Sequence, residues 1–67
     1  MTKSSNNLYV CDAYAKKETI NALLVNIDGI TIWIPKSQID KESDVKISGD
    51  SGTLIFTRSV AKQQGLI

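Results

Sequence analysis

The sequence predicts a mainly β domain: a small five-stranded antiparallel barrel or strongly bent sheet, SH3-like or OB-like, with a short C-terminal helix. Three observations predict it. From Leu8 to Thr57 the chain is rich in Ile, Val and Thr, whose branched Cβ suits a pleated strand better than a helix. Two pairs of such runs are joined by short glycine-bearing turns, Asp28-Gly29 and Gly49-Asp50-Ser51-Gly52. With 67 residues, 42% of them hydrophobic, there is material for one thin core, since a chain this small buries only roughly 60% of its unfolded surface.

The polar start, MTKSSNN (1–7), has no large apolar side chain after Met1 and is expected to be a flexible arm. Residues 8–67 then form the single domain. The first strand is LYVCDAYAK (8–16). Joined to the next through Lys16-Lys17-Glu18, it would set Ala15 opposite Thr19, Cys11 opposite Leu23 and Tyr9 opposite Val25. Tyr9, Cys11 and Ala13 would then share the core face, and a slip of one residue would reverse them.

Asp28-Gly29 lies between TINALLVNI (19–27) and ITIWI (30–34). A two-residue Asp-Gly loop reads as a type I′ hairpin, in which both turn residues take positive φ. The register follows: Ile27 opposite Ile30, Val25 opposite Ile32, Leu23 opposite Ile34. Those six side chains share a wholly aliphatic face and are assigned to the core. Pro35 has no N–H for a ladder and ends the strand. A short turn over residues 35–39 follows, with Ser37 and Asp40 spaced as a small capping box, and then a polar connection from Asp40 to Ser43.

In the second hairpin DVKIS (44–48) pairs with TLIFT (53–57). Ile47 would meet Leu54 and Val45 would meet Phe56, giving a second core face with Lys46 and Ile55 pointing away. RSVAKQQ (58–64) contains helix formers, an N-cap candidate in Thr57 or Ser59 and a stop in Gly65. About two turns of helix are expected, anchored by Val60 and Leu66.

Composition argues against chemistry. The chain has no histidine, so a His-dependent triad is excluded and the usual neutral-pH base is missing. A lone cysteine, Cys11, closes no intrachain disulfide and cannot by itself hold a structural zinc. Beside Asp12 and inside a strand, it reads as a small buried apolar residue, and it suits a reducing compartment. Asp40, Glu42 and Asp44 alternate, but Lys41 and Lys46 lie among them and no EF-hand glycine follows. No glycine precedes a helix in a phosphate-cradling pattern. The expectation is a protein that is not an enzyme and carries no cofactor or metal.

Net charge is +1, from eight basic and seven acidic residues with the signs interspersed. A duplex-binding stripe is absent, so charge lends nucleic acid no support. The start lacks the apolar run of a secretion signal, and no stretch reaches the ~20 apolar residues of a membrane span. A cytoplasmic location without membrane contact is expected.

The hairpin register has one more consequence. With Ile30, Ile32 and Ile34 in the core, Trp33 faces the other way, opposite Leu24. The expected first-strand register adds Val10 beside Leu24 and Tyr14 beside Ile20, giving an apolar row across three strands. Three occupants compete for it: the helix 58–64 through Val60 and Leu66, a second copy in a homo-oligomer, or a ligand or partner using Trp33 as a platform. Lys36 and Ser37, on the turn after Pro35, could add a phosphate or an acidic group of a partner to the same site.

DGITIWIPKSQI (28–39), with the tail Ala61-Lys62-Gln63-Gln64-Gly65-Leu66, resembles small bacteriophage- and prophage-encoded β-rich proteins carrying a DG-x-x-x-WIPKS-like segment. The tail here follows the Ala-x-x-x-Gly-Leu spacing that those proteins carry. The resemblance brings no activity, but it implies phage origin and hence a host-cell cytoplasmic setting. From it follow two expected roles. One is anti-defence: an inhibitor that occupies a host target, by blocking a defence-system protein or sequestering a small, nucleotide-like signalling molecule. The other is an accessory role in phage DNA metabolism as an OB-like single-stranded nucleic-acid binder, with Trp33 and a tyrosine stacking on bases.

Overall fold

In the computed structural model, which describes residues 7–67, the Asp28-Gly29 turn takes positive φ at both positions, 52° and 84°. That is the backbone of a type I′ hairpin. The Asn26 carboxamide oxygen accepts the Gly29 N–H at 3.2 Å. The strands it joins, β2 (Ala22–Ile27) and β3 (Ile30–Pro35), pair as expected, with Ile27 opposite Ile30, Val25 opposite Ile32, Leu23 opposite Ile34 and Leu24 opposite Trp33. Five of the six aliphatic residues are buried. Ile30 is not: it lies at the hairpin tip and stays 53% exposed. The expected flexible arm lies almost wholly outside the described residues.

The remaining strands are β1 (Leu8–Glu18) and β4 (Ser51–Thr57), followed by helix α1 (Arg58–Gln63). The sheet is four-stranded and antiparallel in the order β3-β2-β1-β4, and it does not close. The fifth strand, expected at 44–48, does not form. Its backbone is captured locally instead: one carboxylate oxygen of Asp50 accepts the N–H groups of Lys46 and Ile47 at 3.0 and 3.1 Å. Short side chains that bind nearby backbone in this way compete with a ladder. Val45 is still fully buried, but Ile47 is 56% exposed rather than set against Leu54. β4 pairs with β1 instead, from Leu8 opposite Thr57 to Tyr14 opposite Ser51.

The β1–β2 register also differs from expectation. Ala15 lies opposite Val25, not Thr19, and a bulge between Ala15 and Lys17 sets Lys17 opposite Leu24. The turn sits further along, where Thr19 clips Ala22: its hydroxyl accepts the Ala22 N–H at 3.1 Å and its own N–H bonds the Ala22 carbonyl at 2.8 Å. Ile20 at the tip is 91% exposed. The displacement from Thr19 to Val25 is an even number of residues, so Ala13 and Ala15 are nonetheless buried and Tyr9 and Cys11 pack against the core.

The core is a two-layer arrangement. The sheet contributes Ala13, Ala15, Leu23, Val25, Ile32, Ile34, Leu54 and Phe56, and the roof contributes Val45, Val60 and Ala61, with Ile39 and Leu66 at its margin. Tyr9 tilts against Phe56 at 56° with ring centroids 5.4 Å apart, within the separation over which aromatic pairs attract. The hydroxyl of buried Ser43 joins roof to β4. It accepts the N–H groups of Val45 and Ile55 and faces the carbonyls of Val45 and Thr53.

α1 begins after Thr57, but the Thr57 hydroxyl donates to Gln38 instead of capping the helix. The helix ends as expected at Gly65 (φ 79°). Leu66 N–H reaches the Ala61 carbonyl and Gly65 N–H that of Lys62, the paired bonds of a Schellman motif. The expected capping box at Ser37 and Asp40 is absent: a single 3₁₀ turn over Lys36–Gln38 starts from Pro35 with no side-chain cap. Asp40 instead accepts the Glu42 N–H at 2.9 Å.

Candidate functional site

Strand alternation puts Trp33, Leu24, Tyr14 and Val10 on the sheet face opposite the core. α1 does not cover it: Val60 and Ala61 pack with Leu54 and Phe56 on the inner face. Trp33 is 44%, Tyr14 49% and Val10 60% exposed, and Leu24 is partly buried.

The displaced β1 register rearranges this face. Leu24 has Trp33 on one side and Lys17, not Val10, on the other. Tyr14 stands beside Asn26 rather than Ile20, one row further along. Val10 pairs with Ile55 toward the opposite end of β1. The expected single row is thus two patches, Trp33–Leu24 and Val10–Ile55, with Asp12, Thr31, Asn26 and Thr53 between them. At the first patch the structure assembles Trp33, Leu24, Lys17 and Tyr14. Lys17 was missed because its outward position depends on the bulge at Lys16, for which the sequence carries no turn signal.

Lys36 and Ser37 do not join that patch. The Lys36 ammonium meets the Glu18 carboxylate at 2.6 Å. The other Glu18 oxygen accepts the Ser48 N–H at 2.9 Å, so Glu18 ties the end of β1 to two roof turns. Its carboxyl is held below the ordinary glutamate value, first by the Lys36 hydrogen bond and then by the Ser48 N–H. Lys36 also lines a shallow cleft of about 270 Å³ with Ile39, Asp40, Lys41 and Lys46. Ser37 is exposed, and its hydroxyl accepts a long 3.4 Å contact from Gln38. A wider depression of about 420 Å³ lies between the 3₁₀ turn and α1, lined by Asn7, Gln38, Thr57, Arg58, Ser59 and Lys62.

Neither depression sets a nucleophile against a base. Cys11 is half-buried, and burial pushes its thiol pKa up, with Asp12 and Asp28 adding to the effect; a raised thiol is a poor nucleophile at neutral pH. Among the described residues, no three His, Cys, Asp or Glu side chains cluster as metal ligands, and no helix is long and apolar enough to cross a membrane. What the outer patch offers is contact: an indole face, an aliphatic neighbour, a phenol and a lysine. No family model matches the chain, and no curated protein or solved structure matches it either.

Proposed function

We propose that this is a non-catalytic binding protein of phage type that acts by occupying a host target, and that the target sits on the outer sheet face around Trp33 and Leu24. The observation that carries the proposal is Trp33: a large aromatic, 44% exposed, on a sheet face the chain's own helix leaves open. A tryptophan so placed has one side already packed and most to gain from a partner that removes the rest from water. Lys17 beside Leu24 favours an acidic or phosphate-bearing target, which suits either an acidic surface of a defence protein or a small signalling nucleotide.

Capture from host lysate on immobilised protein tests the first form, and nucleotide extraction from the purified protein followed by mass spectrometry tests the second. The target is expected to be lost in both Trp33→Ala and Lys17→Glu, with the fold retained. Equal capture by wild type and both variants would exclude this face.

A second role, single-stranded nucleic-acid binding, is favoured by one arrangement. Trp33 on β3 and Tyr14 on β1 stand exposed on one face, with Lys17 also on β1 and separated from Trp33 by Leu24 of β2, which offers two stacking platforms and a phosphate contact. Titration of Trp33 fluorescence with oligonucleotides at low salt separates the two roles. Quenching that weakens steeply with salt supports the second, and an unchanged signal removes it.

A further inference from the structure

The two edges of the sheet are finished differently. Along β4 the outward-pointing backbone groups are sealed by the roof. The Ile55 carbonyl accepts the Asp40 N–H and the Thr53 carbonyl accepts the Asp44 N–H, each at 2.8 Å, while the Ile55 N–H reaches the Ser43 hydroxyl at 3.1 Å. Among the described residues, β3 has no such strap. In the β2–β3 hairpin, residues 30, 32 and 34 bond β2, as does the Lys36 N–H to the Asn21 carbonyl. Thr31, Trp33 and Pro35 therefore turn their backbone groups outward. The Trp33 carbonyl confirms the direction, because the exposed Gln64 side chain reaches it at a long 3.4 Å.

An open edge is usually blunted with charge or proline. β3, ITIWIP, contains no charge, and its one proline stands at the last position, away from the centre of the strand. We propose that β3 pairs with β3 of a second copy, antiparallel across a two-fold axis at Ile32, to give one eight-stranded sheet. Absence of charge suits this occupant in particular, since across a two-fold axis any charge near the centre meets its own sign. Pro35 selects the register. Centred on Ile32, Thr31 of each copy faces Trp33 of the other, and both pairs exchange two N–H···O bonds. Centred on Trp33, Thr31 would face Pro35, which has no N–H to give.

The chosen register also sets exposed Ile30 against Ile34 of the second copy, and Asp28 level with the turn carrying Lys36 of opposite charge. The two Trp33 side chains become diagonal neighbours on the outer face. Because β4 is sealed at both outer ends, the pairing stops at two copies and does not propagate. This pairing is independent of what the outer face binds. An edge of six residues is a small interface, so the dimer is a weak, concentration-dependent one.

Sedimentation of the full chain over a concentration series is expected to show the mass doubling at the high end. Thr31→Pro, which removes an outward N–H and leaves the β2 ladder in place, is expected to abolish the doubling. Thr31→Lys serves as a second blocking variant should the proline variant not fold. In the wild type, hydrogen exchange at the Thr31 and Trp33 amides is expected to slow as concentration rises, while the Ile32 and Ile34 amides stay protected throughout. A chain that remains monomeric up to about 1 mM, a concentration at which even an association of about 4 kcal/mol would be half complete, overturns the proposal. So does a dimer that survives the blocking variant, or exchange at Thr31 and Trp33 that ignores concentration. Titrating targets against the monomeric variant keeps failure of this pairing distinct from failure of the proposed binding face.

Discussion

The inner and outer faces of this sheet are built from the same four strands, with apolar residues at alternate positions on both, yet one is sealed and the other open. On the inner face Leu23, Val25, Ile34, Leu54 and Phe56 are fully buried. On the outer face Trp33, Tyr14 and Val10 keep between 44% and 60% of their surface in water. The difference comes from the roof, not from side-chain type. The chain leaving β3 crosses over the inner face, deposits Val45, runs back along β4 and returns as α1 with Val60 and Ala61. Among the described residues, no connection or helix crosses the outer face. Apolar content therefore marks a candidate surface here only after the path of the connections is known.

The comparison breaks most sharply under truncation. Phe56→Ala empties the centre of the inner face and is expected to cost about 3–5 kcal/mol. For a domain this small that is most of the stability, and thermal or urea unfolding followed by circular dichroism would show it. Ser43→Ala strikes the join between roof and β4. It leaves the Val45 and Ile55 N–H groups without their partner, at an expected cost of about 1–3 kcal/mol in the same assay.

A smaller effect appears with pH. Lys46 and Ile47 N–H groups hold the Asp50 carboxyl below its ordinary value, as Lys36 and Ser48 do for Glu18. Each group binds its proton less readily folded than unfolded, so its contribution is present above the unfolded-state pKa. It is lost as pH falls below about 4. Unfolding measured from pH 6 to 2.5 should show that decline, and Glu18→Gln with Asp50→Asn should flatten it. The smallest expected change in stability, within about 1 kcal/mol, belongs to Trp33→Ala on the open face. If that substitution unfolds the domain instead, Trp33 is structural and the binding face is misplaced.

The local devices were legible before the fold. Asp28-Gly29 pointed to a type I′ turn and with it the β2–β3 register, because Asp and Gly in that order tolerate the two successive positive φ angles that this two-residue turn requires. Gly65 marked the helix end for the same conformational reason. Parity told which side of β1 was core even though its partner residues were misjudged. The fifth strand was not legible: 44–48 has strand composition, but the Asp50 carboxylate takes its N–H groups, and β4 finds a longer partner in β1.

By itself, then, the sequence determined a mainly β domain, one hairpin in register, the helix stop and a face carrying Trp33 opposite the core. These follow from φ preferences and the two-residue period of a strand, which act over a few residues. Only the tertiary structure decided that the sheet stays open at four strands, that Lys17 rather than Val10 stands beside Leu24, that the helix roofs the inner face, and that β4 is sealed while β3 is not. Those outcomes depend on which distant segments compete for the same backbone groups and the same apolar surface, and that competition is resolved only when the whole chain packs.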